Sequence, residues 1–377
     1  MSKDGDDTPQ RSVDMRRKRR QPPVQIIANP TYDVLLSLFV VFGLRDSSDY
    51  ELAPTWSEQA RAACPPALLD TLSFFFGDED ERQWCASRLC GLLWQSPAPH
   101  DIAGTLDWLL QIPVEDVVTL LLERDGLGDD WQDMAAALIR AQVAPGEKTE
   151  AHLRSIATFA KRFPSAERDA VTHFLRFPEA ERMRLIDAVR QWHALVFSKD
   201  ESRIVAAITR EAAALSKRQG DGAAAEELFT SVVQGIEFDL PAATERLILV
   251  PSVLIMPTVF HFRVGDNITY CFPIADASRN ASDSIALQRR EMVRLFEALA
   301  DDTRLRILHH LAERTMYLTE LSEHLKLTKA TTRHHMVRLR AAGLVTLHMR
   351  DHLSYYTLRR ETLDEPTRVL SHFLGLN

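Results

Sequence analysis

From Pro30 to about Ile236 apolar residues recur at three- and four-residue spacing, the pattern of successive amphipathic helices. Tyr32, Leu35, Leu36, Leu38, Phe39 and Phe42 open the series after Asn29-Pro30. Proline- or acid-led starts then precede apolar runs over residues 67–76, 84–94, 114–122, 167–174 and 179–197. Short connections between such helices imply a bundle or a stacked helical array. No fixed repeat period is present, which disfavours a solenoid.

A polar, Gly-containing break over residues 216–222 is followed by one more helix through Phe229 and Val233, and at Ile236 the texture changes. Residues 246–250, 258–264 and 267–272 are rich in β-branched and aromatic side chains, and Gly265-Asp266-Asn267 is a hairpin turn. Residues 276–284 are small and polar, a linker, and 285–299 predict another helix.

The pattern is densest after that helix. Asp301, Asp302 and Thr303 supply an N-cap with acids in the first turn, and Leu305, Ile307, Leu308 and Leu311 follow at helical spacing to about Glu313. Thr319 is the expected cap of the next helix, which carries Leu321, His324 and Leu325 on one face. Lys326 and Leu327 then make a short turn to Thr328, the cap of a third helix that ends before Gly343. Two short helices joined so tightly must cross steeply, as in a helix-turn-helix. The third helix should bury Thr332, Met336, Leu339 and Ala342, with His335 at the edge, and turn Lys329, Arg333, His334, Val337, Arg338 and Arg340 outward. Val345 and Leu347 alternate with Thr346 and His348, Arg350, Asp351 and His352 form a polar turn, and residues 354–358 run back as a second strand. This hairpin is a wing.

These elements predict a mainly α fold with small β elements: an N-terminal helical domain, a short β-hairpin region and a C-terminal winged helix-turn-helix. The expected boundaries are a disordered basic tail at 1–28, a helical sensor or oligomerisation domain at 29–236, a small β region at 237–277, a linker at 278–284, the winged helix-turn-helix at 285–362 and a helical tail at 363–377. The tail carries Arg16, Arg17, Lys18, Arg19 and Arg20, and serves either as an arm for extra phosphate contacts or as a solubilising segment.

Charge sharpens the picture. From Lys326 to Arg360 eight basic side chains face one acid, Asp351, a net of +7 in a chain whose formal total is −8. A basic recognition face and wing tip on an acidic molecule confine polyanion binding to one end, which points to duplex DNA. Lys329, Thr331, Arg333 and His334, in the first two turns of the third helix, are the expected base readers. Thr328, Arg338, Arg340, Arg350 and Tyr355 are the expected backbone contacts.

Other chemistry is thinly represented. Cys64, Cys85, Cys90 and Cys271 form no CxxC pair, so reduced thiols in a cytoplasmic protein are expected. No signal peptide or membrane span is read from the sequence. Phe74, Phe75, Phe76, Trp84, Trp94, Trp131 and Trp192 either line a pocket for an apolar effector or form core. Residues 125–130 carry three aspartates and two glycines, but the spacing is wrong for a calcium loop and suits a loop with an N-cap. No Walker loop, GxGxxG turn, GxSxG elbow or HExxH pair occurs, and the chain is read as a non-enzyme without a cofactor.

The stretches LFEALADDTRLRIL and LTELSEHLKLTKATTRHHMVRLRAAGLV, with a wing ending in SYYTL, resemble the winged-helix domain of the ArsR-type bacterial transcriptional regulators. The resemblance covers roughly the last quarter of the chain. More weakly, the segment with Leu249, Val250, Pro251 and Ser252 resembles what precedes the domain in longer relatives. The resemblance implies a homodimer on a palindromic operator, with the helix from Thr328 in the major groove. Many members of the family sense metals. Their cysteine motif would fall in the helix from Thr319, where this chain has Leu321, Ser322, Glu323 and His324. Their other site type needs paired Asp and His on a C-terminal helix, and here Asp364 and His372 are all that residues 364–377 offer. A zinc site on His348 and His352 would need ligands from elsewhere. The expectation is therefore a sequence-specific DNA-binding regulator, a repressor answering to a small molecule or protein partner at the helical region rather than to metal. A winged-helix protein-interaction module, or an enzyme with a DNA-binding appendage, remain the alternatives.

Overall fold

In a computed structural model of the chain, the described residues are 22–42, 54–77, 86–123, 127, 129–233, 235–238, 244–256, 258–275, 278, 284–350, 353–374 and 376. Arg16 to Arg20, Trp84 and Cys85 lie outside them.

The chain begins with strand β1 (Val24–Ile26) and continues into helices α1 (Thr31–Phe42), α2 (Pro54–Ala62), α3 (Pro66–Phe76), α4 (Ile102–Gln111), α5 (Val114–Leu122) and α6 (Trp131–Val143). Helices α7 (Glu150–Ala160), α8 (Arg168–Arg176), α9 (Pro178–Trp192), α10 (Glu201–Gly220) and α11 (Ala225–Val232) complete this region. Helix α1 is apolar on every side, so it can only be central: Tyr32, Leu35, Leu36 and Leu38 are wholly buried. Several polar groups in and beside it are paired inside the core. Ser37 donates to the Val34 carbonyl at 2.7 Å and accepts the Trp192 indole N–H at 2.9 Å. Asn29 accepts the Thr31 N–H at 2.9 Å and donates to Ser96 and Thr105 at 3.3 and 3.2 Å. Asp33 accepts the Ser252 hydroxyl and, at 3.1 Å, the Val253 N–H.

Two expectations for this region change. Residues 84–94 are not one helix, since Ala86–Gly91 and Leu93–Gln95 are tight 3-10 turns. Leu89, Cys90, Leu92 and Leu93 are all buried, leaving no solvent face for an amphipathic helix, and a Cβ at Gly91 would come within 2.6 Å of Val264. Asp130 does not cap α6 with its side chain; it forms an ion pair with Arg162 at 2.8 Å. Asp125, Gly126 and Gly128 lie outside the described residues.

Strands β2 (Ile236–Phe238), β3 (Arg246–Ser252), β4 (Phe260–Val264) and β5 (Asn267–Pro273) follow. They do not make the separate β region expected at 237–277. Strand β1, inside the expected tail at 1–28, pairs in parallel with β3, β3 pairs in parallel with β5, and β4 turns back on β5 through Gly265, at φ +58°. Parallel strands are stable only when both faces are covered. Ile248, Val250 and Cys271 face the core of α1 and its neighbours, whereas Leu247, Leu249, Ile268, Tyr270 and Phe272 meet Leu228, Phe229 and Val232 of α11.

The C-terminal unit comprises α12 (Ser284–Leu299), α13 (Asp302–Glu313), β6 (Met316–Tyr317), α14 (Leu318–Leu325), α15 (Lys329–Ala341), β7 (Val345–Arg350), β8 (Leu353–Leu358) and α16 (Glu365–Phe373). Its core gathers Leu295, Ile307, Leu311, Leu321, Met336, Leu339, Val345 and Tyr356. The wing sheet has the order β2-β7-β8-β6, so a strand from the preceding region forms one edge of it. That pairing carries no hydrophobic signal of its own in three residues.

Asp33→Ala removes the carboxylate that accepts from the enclosed Ser252 hydroxyl and from the Val253 N–H. Urea unfolding should register a loss of about 1–3 kcal/mol. A loss under roughly 0.5 kcal/mol, the range of surface substitutions, would contradict this role.

Candidate nucleic-acid interface

The helix-turn-helix is built by local capping. Helix α14 starts two residues earlier than a Thr319 cap implies, and its cap is Tyr317: the Glu320 carboxylate accepts the Tyr317 N–H at 2.8 Å. That hydrogen bond, with one from Arg314, holds the Glu320 carboxyl below its usual range. Lys326 ends the helix in the left-handed conformation, at φ +57°. Leu327 donates back to the Ser322 carbonyl at 3.0 Å, and Thr328 accepts the Thr331 N–H at 3.1 Å to start α15. The turn thus consumes the free ends of both helices and fixes how they cross.

On α15, Thr332, Met336 and Leu339 are buried, as expected, and Thr328, Lys329, Thr331 and Arg333 are exposed. His334 and Arg338 are half-buried, and the Arg338 guanidinium donates to the His334 ring at 3.4 Å, one turn apart. Arg340 departs from expectation. It was expected to face outward, but it is 6% exposed, covered by the backbone at Gly235.

On the wing, Tyr355 stacks on His348 with ring centroids 4.8 Å apart and planes 6° apart, and Tyr317 meets Tyr355 edge-on at 6.1 Å. The His348 ring also bonds the Thr357 hydroxyl at 2.7 Å. Arg350 pairs with Leu353 at the end of the hairpin; its side chain, like Asp351 and His352, lies outside the described residues. The structure therefore brings Thr328, Lys329, Thr331, Arg333 and His334 together on the first two turns of one helix, sets Arg338 behind them, and places Tyr355 on the adjoining wing. Tyr317, exposed beside Tyr355, went unremarked in the sequence because nothing local marks a two-residue strand. Among the described residues no group of three His, Cys, Asp or Glu side chains is placed to hold a metal ion. No helix among them is long and apolar enough to cross a membrane.

His335 sits under this face, with Nδ1 3.6 Å from the Asp301 carboxylate, too far for a hydrogen bond. Enclosure pushes its imidazole below the ordinary range, helped by Arg304, His334 and Arg338 and opposed by Asp301. The folded chain therefore holds His335 neutral at pH values where the unfolded chain, with a pKa of about 6.5, takes up a proton. Its contribution to stability is complete above that pKa and is lost as pH falls through and below it. Urea midpoints between about pH 7.5 and about pH 5.5 should fall less for His335→Gln than for the unaltered chain; equal falls would contradict the assignment.

The profile of the bacterial regulatory proteins of the arsR family matches residues 301–346, from the cap of α13 into the first wing strand. The transcriptional repressor SdpR of Bacillus subtilis (strain 168) is 28% identical over 84 residues, which is 22% of this chain and 93% of that protein. No solved structure matches. The family match spans the helix-turn-helix whose caps, core and exposed basic face are described above, while the larger helical region lies outside it. Residues 301–346 are thus similar to the ArsR-type helix-turn-helix of bacterial DNA-binding regulators, with a long region N-terminal to them outside that match.

Proposed function

We propose that the chain is a homodimeric transcriptional repressor that reads a palindromic operator with α15 and answers to a small molecule or protein partner at its helical region. The observation that carries the DNA-reading part is the face of α15. Lys329, Thr331 and Arg333 are exposed on the first turns of a helix whose other side is locked into the winged-helix core, so the reading groups stand on a rigid support. Arg333 has the fork geometry for a bidentate pair with guanine, and Lys329, Thr331 and His334 flank it. Thr328, Arg338, Arg350 and Tyr355 position the protein on the backbone. Repression is taken from the likeness to the Bacillus protein, whose name describes a repressor.

Dimerisation is supported by apolar surface on α12 and α16, which pack together. Leu295 turns into the core, but Phe296 and Val293 on α12 and Leu370 and Leu374 at α16 stay exposed, Phe296 at 38% and Leu374 at 56%. One recognition helix reads one half-site, and two-fold symmetry supplies the second. A non-metal signal is supported by the positions where the family's thiols would stand: Leu321 and Ser322 are buried in the packing of α14, and Ser322 donates to the Leu318 carbonyl at 2.8 Å.

Two experiments test this reading. With duplex fragments selected from sheared DNA by the purified chain, Arg333→Ala should cost about 1–3 kcal/mol on the selected site and relax one base preference. Arg350→Ala should weaken selected and scrambled duplexes alike and lower the salt slope by about one. Equal losses on both duplexes for Arg333→Ala would show that it reads no base. In sedimentation, the unaltered chain should run as a dimer at micromolar concentration and a Phe296→Glu, Leu370→Glu double variant as a monomer; a monomeric unaltered chain, with and without DNA, would overturn the dimer.

A further inference from the structure

Arg340 is in the wrong environment for its place on the helix. At about 100° per residue, its direction from the α15 axis falls between those of Lys329 and Arg333, both exposed. The same sector that is open at the start of the helix is closed at its end. What closes it is the chain leaving α11. Gly235 lies over the last turn of α15, where a Cβ would meet Arg340 Cγ at 3.5 Å and the Val345 carbonyl oxygen at 3.1 Å. Its backbone is left-handed, at φ +74°, which glycine adopts at no steric cost. From there β2 runs parallel to β7 with Ile236 opposite Leu347 and Phe238 opposite Met349, and the Leu347 N–H donates to the Gly235 carbonyl at 2.8 Å. Ile236 and Leu347 join the apolar cluster that α11 makes with β3 and β5.

The geometry points to β2 as a clasp: while it pairs with β7 it joins the helical region to the wing and keeps Arg340 from DNA, and when it opens, Arg340 adds a phosphate contact and duplex affinity rises. This rests on the DNA-binding reading above. The clasp is three residues long and follows closely in sequence on α11, the helix that covers the second face of the parallel strands. A ligand or partner that shifts α11 against those strands therefore pulls directly on the wing edge. The device needs no change in the helix-turn-helix itself. Its output is one cation withheld or supplied at the end of the recognition helix.

The test uses the full chain and a fluorescent mixed-sequence duplex, titrated at several salt concentrations. Gly235→Val forces a side chain against the Val345 carbonyl and strains the left-handed backbone; Ile236→Ser weakens the same seat without straining it. Amide exchange at Leu347, whose N–H bonds the Gly235 carbonyl, reports opening in each. The open variants should bind the duplex several-fold more tightly at low salt, with a salt slope steeper by about 0.9, the increment for one phosphate. Arg340→Ala should leave the slope of the otherwise unaltered chain unchanged and abolish the increment in the open variants. Faster exchange at Leu347 with an unchanged or shallower slope would overturn the clasp alone, as would faster exchange in neither variant. No duplex binding by the unaltered or open chains at low salt would overturn the DNA-binding reading, and the clasp with it.

Discussion

Strands β3 and β5 run parallel and need apolar cover on both faces, and much of the architecture follows from meeting that need. One cover is the large helical core around α1, whose mostly apolar and almost wholly buried surface belongs in the interior. The other is α11, through Leu228, Phe229 and Val232, with the Phe229 and Tyr270 rings meeting edge to face at 4.7 Å. Because α11 must lie on that second face, the chain leaving it emerges beside the wing, and β2 completes the wing sheet. A packing requirement of the extension thereby becomes a backbone connection to the DNA-binding unit.

The helix-turn-helix solves a different problem, that of holding two short helices at a fixed crossing without a long interface. Backbone hydrogen bonds at the turn do this: Lys326 in the left-handed conformation, Leu327 bonded back to Ser322, and Thr328 bonded forward to Thr331. A left-handed lysine costs about 1–2 kcal/mol relative to glycine, so the core beneath must offset it. Leu321, Leu325, Met336 and Leu339 form that core. Rigid support of this kind keeps Arg333 and Lys329 at a fixed height above the body of the domain.

How far the sequence could be read followed the range of the interactions. Caps and periodicity are local, so α13, α15 and the wing hairpin were legible nearly to the residue; the cap of α14 was missed because a tyrosine backbone N–H bonded to Glu320 leaves no side-chain signature at the cap position. The small strands β4 and β5 were legible through Gly265. Strand β1 was not, since Val24–Ile26 becomes a strand only by pairing with residues more than two hundred positions away. The 84–94 segment reads as a helix until the sheet is pressed against Gly91. Arg340 shows the same limit at the interface: helix geometry places it outward correctly, and only the long-range return of β2 buries it. Lys329, Thr331 and Arg333 are exposed, with no distant segment among the described residues over them, and for them the direction read from the sequence agrees with the structure.

The proposed DNA contact lies on one helix face and its wing, not on the extension. Amide exchange of the full chain with and without a selected duplex measures that directly. Slowed exchange confined to the start of α15, around residues 328–338, and to the wing strands is the result the account predicts. Protection centred on α1 to α10 with α15 unchanged would contradict it.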